Sequence, residues 1–188
     1  MEFPLSSRRS FIAKTSMALA GTALLSSTAS FASVFSKKVP FEGYDPLMGY
    51  KNDLRTFLSG KTLEITGTLF TNENNQLLPC NEATVEVWHL SPNSKEFYHR
   101  GKFKTNDKGE YTFWTDMPHR KEGQKARIFF KATSQGKSLF TELVLDNHFA
   151  YISHSHWEYN HFLGKHLFPS LKTSSPQTGE VTFNFIIN

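Results

Sequence analysis

From Leu63 onward the chain alternates apolar and polar residues in short runs, most clearly in Leu63-Glu64-Ile65-Thr66-Gly67-Thr68-Leu69-Phe70. A period of two puts successive side chains on opposite faces, so such runs predict half-buried β-strands. The same pattern marks 84–89, 97–105, 111–114, 127–133, 139–145 and 181–187. Between them lie Asn72-Glu73-Asn74-Asn75, Asn106-Asp107-Lys108-Gly109 and Ser134-Gln135-Gly136, where Asn and Gly favour tight turns. Seven short strands with no helical period among them predict an all-β fold, a single antiparallel β-sandwich. In the fifth of these runs Ala126, Ile128, Phe130 and Ala132 form the expected core face, which leaves Arg127 and Phe129 on the other. The stretch 146–178 breaks the pattern before the last strand. It is too long for a structureless loop, so short helices or a functional excursion are expected there.

The chain before Leu63 reads differently. Residues 33–60 hold scattered aromatics with Pro40, Gly43, Pro46, Gly49 and Gly60, and read as an arm with one short helix at 52–58. Residues 1–32 read as an address: Ser7-Arg8-Arg9-Ser10-Phe11-Ile12-Ala13 resembles the twin-arginine export motif, and small residues at Ser30 and Ala32 place the expected cut after Ala32. The apolar stretch 15–25 is about half of the roughly 20 residues that a membrane span needs, so no stable membrane anchor is expected. The expected organisation is thus a signal peptide at 1–32, an arm at 33–60 and a sandwich domain at 61–188. The expected location is periplasmic or secreted, reached through the twin-arginine export machinery.

Composition sharpens this picture at three points. Aromatics make up 14% of the 188 residues, with 18 Phe, which suits β-rich packing. A single cysteine, Cys80, excludes an internal disulfide framework and any Cys-cluster zinc site. Loss of Arg8, Arg9, Lys14 and Glu2 with the signal lowers the net charge from +4 to +2, and no Lys/Arg run exceeds two, so no nucleic-acid partner is expected.

The order of motifs resembles the intradiol ring-cleavage dioxygenases, the catechol- and protocatechuate-cleaving enzymes with non-haem ferric iron. Val85-Glu86-Val87-Trp88-His89 is similar to that family's "VEIWHA" strand, and Arg100-Gly101 with 105–115 to its "RG … TDADGRYRFRT" segment. Ala126-Arg127-Ile128-Phe129-Phe130 falls at "AHIHF", and 139–145 at "LTTQLYF". The resemblance implies a β-sandwich, a small aromatic or phenolic ligand and, in a family usually oligomeric, a homo-oligomer in which the arm serves either a subunit contact or the cover of a sheet. It also implies four iron ligands, two Tyr and two His. The His positions are occupied here by Arg127 and Phe129, neither of which can ligate a cation. The second Tyr falls in Pro118-His119-Arg120-Lys121, which has none. Tyr98 stands near the first, although the spacing also admits Phe97.

Two functional classes follow. In one, an oxidoreductase keeps dioxygenase-like chemistry at a rebuilt metal site. Five of the eight histidines (His148, His154, His156, His161 and His166) lie in the excursion, and an extended His154-Ser155-His156 puts two imidazoles on one side with Glu158 or His161 as a third ligand, alongside Tyr98. The metal would be iron if the family chemistry survives, and otherwise copper or zinc. In the other, the protein is a non-catalytic pseudoenzyme or binding module without metal, whose pocket of Tyr98, Arg127 and Phe129 takes an aromatic anion with Arg127 as its anchor and with Glu142 or the anion pairing its charge. No residue is assigned a catalytic role. His89 and Tyr111 are expected to be structural, and His119 to be solvated.

Overall fold

The long strand β1 (Thr62–Glu73) is the axis of the molecule. In the computed structural model, which describes residues 41–56, 60–175 and 177–188, it pairs with four other strands. The expected signal peptide at 1–32 and the arm's start at 33–40 lie outside the described residues. The first half of β1 pairs antiparallel with β5 (Glu110–Asp116) and parallel with β10 (Thr178–Thr182). Its second half pairs antiparallel with β2 (Gln76–Pro79) and parallel with β11 (Phe185–Ile187). The edge of this sheet is β9 (Ser170–Ser175) on β10. The second sheet is wholly antiparallel, in the order β4 (His99–Lys104), β3 (Thr84–His89), β6 (Ala126–Ser134), β7 (Lys137–Leu145), β8 (Ala150–Ile152).

The all-β sandwich is as the alternation predicts, but the described residues form eleven strands rather than seven, with β2, β8 and β9 added, and the pairing is not wholly antiparallel. The expected last strand at 181–187 is two strands, β10 and β11, separated by Phe183 and Asn184, and both run parallel to β1. The switch occurs at Gly67. A Cβ there would lie 1.8 Å from the Phe183 carbonyl oxygen and 2.7 Å from the Tyr111 hydroxyl, so only glycine lets the three strands meet. Tyr111 donates to the Phe183 carbonyl at 2.5 Å across this crossing, and Asn184 Oδ1 accepts from Thr68 N–H at 2.8 Å where the ladder is broken.

The core lies between the sheets. Leu63, Ile65 and Leu69 from β1 meet Val85, Val87, Phe113, Ile128, Phe130, Leu143, Phe183 and Phe185, all buried. Ala126, Ile128, Phe130 and Ala132 face inward as expected. The excursion carries β8, a helix α1 (His154–Asn160), a 3-10 segment (His161–His166) and β9. Ser153 caps α1 by accepting from His156 N–H, and the helix docks through Asn160, whose Oδ1 accepts from Ile186 N–H at 2.6 Å.

The arm covers a sheet. Its residues lie on the outer face of the second sheet, where Phe41, Tyr44 and Met48 pack on Trp88, Phe129 and Phe140. The helix expected at 52–58 does not form over its described part: Asp53 makes a bridge to Trp114, and Leu54 N–H donates to the Trp114 carbonyl at 2.7 Å, so the segment runs as an extended stitch along β5.

Candidate functional site

Three separate segments converge at one end of the second sheet's outer face. Arg127 and Phe129 come from β6, two residues apart and therefore on one face. Leu90 and Phe97 come from the loop joining β3 to β4, and His119, Lys121, Gln124 and Lys125 from the segment after β5. With Glu42 of the arm they line a shallow pocket of about 290 Å³ including its open mouth. These segments are the ones in which the resemblance to the intradiol family places its iron ligands. The positions come together in space, but what they carry is Arg127, Phe129, Phe97 and His119.

Phe97 and Phe129 form the apolar wall, their ring centroids 6.5 Å apart, and Phe129 also packs on Trp88 at 5.7 Å. Arg127 donates through Nη1 to Glu142 Oε2 at 2.6 Å. The two side chains differ in exposure: the guanidinium side chain is 40% exposed, and the carboxylate that holds it only 7%. Glu142 sits opposite Phe129 on β7, so the pair is diagonal across the two strands and fixes the guanidinium at the pocket's edge. Lys125 pairs with Asp146 at 2.9 Å and lies 3.8 Å from the centroid of the Tyr151 ring, and Lys121 pairs with Glu42. The lysine, backbone N–H donors and Tyr151 around Asp146 hold its carboxyl well below the usual range, Lys125 contributing most.

Tyr98 is not part of this pocket. It lies in the loop just before β4, outside the pocket lining, and is 67% exposed. The histidines of the excursion do not meet either. His154-Ser155-His156 is helical rather than extended, and at roughly 100° per residue two positions apart means opposite sides of the helix. His154 is 81% exposed and faces Glu158 at 3.2 Å. His156 is buried, with Nδ1 2.8 Å from the Thr141 hydroxyl and its ring on Phe183. Burial pushes its pKa down to about 4. His161 is exposed, its Nδ1 on the Glu158 carbonyl. Among the described residues, no group of three or more His, Cys, Asp and Glu is placed to hold a metal ion.

The residues at the pocket do not fit ferric iron. His119 and Glu42 are the lining side chains able to ligate a metal, and Glu42 is held by Lys121, so the described lining falls short of the four ligands that the resemblance implies.

Behind the pocket lies a polar network that alternation alone conceals. His89 on β3 faces His99 on β4 in register, ring centroids 4.8 Å apart. His89 Nδ1–H donates to the Leu90 carbonyl at 2.9 Å, so its Nε2 accepts from the Thr115 hydroxyl at 2.6 Å. Full burial pushes the His89 pKa down to about 3. His99 links Ser91 Oγ and Asp116 Oδ2, each at 2.8 Å. Ser91 Oγ accepts from Tyr98 N–H at 2.9 Å, and Asp116 accepts from both Thr56 N–H and its hydroxyl. The network ties the arm, the Phe97 loop and β5 together. Its clue in the sequence is two histidines ten residues apart on strands joined by one loop.

Comparison with solved structures gives the family likeness its measure. The dioxygenase domain of a dioxygenase carbohydrate-binding protein fusion from a cellulolytic Streptomyces superposes with a TM-score of 0.59 at 20% identity, covering 79% of this chain and 95% of that one. An intradiol ring-cleavage dioxygenase from Tetranychus urticae gives 0.58 at 18% identity, over 77% and 89%. A 3-chlorocatechol 1,2-dioxygenase from Rhodococcus opacus gives 0.54 at 18% identity, over 77% and 68%. The chain has the intradiol dioxygenase fold. No protein-family model matches the sequence, and no curated protein matches it. At these identities the likeness concerns the fold, and the site's chemistry rests on its own residues.

Proposed function

We propose that the protein is an exported, metal-independent binding protein of the intradiol dioxygenase fold that takes a small aromatic anion in the pocket of Phe97, Arg127 and Phe129. The observation that carries this reading is the exchange of chemistry at the converging segments: an aromatic wall and a guanidinium stand where the family resemblance calls for iron ligands. Phe97 and Phe129 offer a stacking surface for a ring. Arg127 offers the N–H donors that Glu142 does not engage, on a fork held rigid by that buried carboxylate. The Lys121–Glu42 pair at the rim is exposed, and exposed pairs are worth only about 0–1 kcal/mol, so a ligand carboxylate competes for Lys121 at little cost.

The test is calorimetric titration with benzoate of the wild type and of an Arg127→Met/Glu142→Gln double variant, which removes the anchor without stranding a buried charge. Binding by the wild type and a loss of roughly tenfold or more in the double variant is expected, since one charge-assisted contact is worth about 1.5–3 kcal/mol. Equal affinity in both proteins contradicts the assignment. Export belongs to the same proposal: Arg8→Lys/Arg9→Lys, which keeps the charge of the motif, is expected to leave the protein in the cytoplasmic fraction.

A further inference from the structure

The arm is attached in two different ways along its length. From Gly49 to Leu54 it is stitched to the sandwich by backbone hydrogen bonds: Lys102 N–H to Gly49, Lys51 N–H to Lys102, Trp114 N–H to Asn52 and Leu54 N–H to Trp114, at 2.7–3.1 Å. Residues 41–47 make no backbone–backbone bond to the sandwich among the described residues; Met48 N–H to the Asp45 carbonyl stays within the arm. This first part is held by side chains. Phe41 stacks on Phe129 with centroids 4.8 Å apart and planes 20° from parallel, and the Trp88 indole N–H donates to the Glu42 carbonyl at 2.9 Å. Lys121 holds the Glu42 carboxylate, and Tyr44 meets Lys131 at 2.6 Å. Segments held mainly by side-chain contacts open locally at lower free energy than segments in a backbone ladder.

This strap also divides two hollows. Glu42 and Phe129 line the pocket described above, whereas Phe41 and Phe140, with Leu139, Ser138, Ser155 and Tyr159, line a second hollow of about 790 Å³ including its mouth. Phe129 and Phe140 lie on the same outer face of the paired strands β6 and β7. Lifting Phe41 would therefore join the two hollows into one aromatic trough.

We propose that residues 41–44 are a displaceable strap, and that Phe41 occupies a concealed stacking subsite on Phe129 which takes the ring of a planar aromatic carboxylic acid. The proposal rests on the reading of the pocket as a site for an aromatic anion and adds where the ring goes. Phe129 and Arg127 are two residues apart on one strand face, roughly 7 Å, so a ring on Phe129 carries its carboxylate to the guanidinium. Displacing Phe41 also draws Glu42 from Lys121 and frees a second cation for the ligand.

Gly43 supplies an independent handle on the closed state. Its φ is +75°, and a Cβ there would lie 2.3 Å from Cγ of Phe97. The strap closes over Phe97 only because residue 43 has no side chain, so Gly43→Ala disfavours closure without replacing any side chain that lines the pocket. The experiment is NMR hydrogen exchange of the Trp88 indole N–H in the full chain, together with benzoate titration. In Gly43→Ala the indole is expected to exchange roughly tenfold faster or more, with the Lys51 and Leu54 amides unchanged. Benzoate is expected to bind several-fold tighter, because the competing closed state is depopulated. Phe41→Ala, which removes the ring without backbone strain, is expected to do the same and serves if Gly43→Ala does not fold. Unchanged indole exchange with intact benzoate binding overturns the strap and leaves the pocket reading standing. Acceleration of the indole only together with Lys51 and Leu54 also overturns it, since the whole arm then opens as one. Local indole opening in a protein that binds no benzoate overturns the subsite and the pocket reading with it.

Discussion

Arg127 and Glu142 show how much one side-chain exchange demands of its neighbours. A guanidinium on a half-covered sheet face needs a partner, and Glu142 on the adjacent strand supplies it at 2.6 Å from a nearly buried position. Arg127→Ala leaves that carboxylate without its cation. It is expected to destabilise the protein by about 1–2 kcal/mol in urea unfolding, discounted for the exposure of the arginine, while Arg127→Met/Glu142→Gln recovers most of the loss. The buried histidines give a pH dependence with a definite sign. His156 and His89 have folded pKa values pushed below the ordinary 6.5, to about 4 and about 3, so the unfolded chain binds more protons as the pH falls. Stability attributable to them is fully present above about 6.5 and is lost on acidification through that value toward the folded pKa. For His156 the full loss is about 3 kcal/mol. Urea midpoints at pH 7.5 and pH 4.5 should fall in the wild type and fall less in His156→Gln. The sequence shows the histidines but not their burial. An extended His154-Ser155-His156 would offer His156 as a ligand, but Ser153 caps a helix that turns it into the core.

At the level of elements, the strands were legible because alternation is a local property. The expected 84–89 and 139–145 lie within or match β3 and β7, and the inward face of β6 follows directly from its pattern. What alternation cannot express is which strands meet. The parallel return of β10 and β11 beside β1 depends on a crossing more than a hundred residues apart in sequence, and Gly67 is the local trace of it. Gly67→Ala is expected to cost roughly 3 kcal/mol or more, because a Cβ 1.8 Å from a backbone carbonyl cannot be relieved by a side-chain rotation. Gly49→Ala, where a Cβ meets nothing within 4 Å, is the matched control and is expected to change the urea midpoint little. The sequence predicts a helix in the arm at 52–58 where the structure has an extended stitch, because 52–56 has no alternation to reveal that it borrows β5 as a template.

For the whole molecule, the resemblance in motif order anticipates the fold that the solved structures share, and the residues at 127 and 129 carry the proposal that its chemistry departs from theirs. Of the expected pocket of Tyr98, Arg127 and Phe129, the resemblance places Arg127 and Phe129 correctly, while Phe97 lines the pocket in place of Tyr98 and His119, expected only as a solvated residue, lines it too. The cations at its rim and the contribution of the arm through Glu42 were not legible at all, because they arise from loops whose positions only the assembled sandwich fixes. Metal-independent binding at this pocket is the central claim. Calorimetric titration of the chelator-treated protein with benzoate, repeated after reloading with ferric iron, tests that most directly. Saturable one-to-one binding that is the same before and after iron is the predicted result. Binding that appears only with stoichiometric iron, accompanied by cleavage of added catechol, would contradict it.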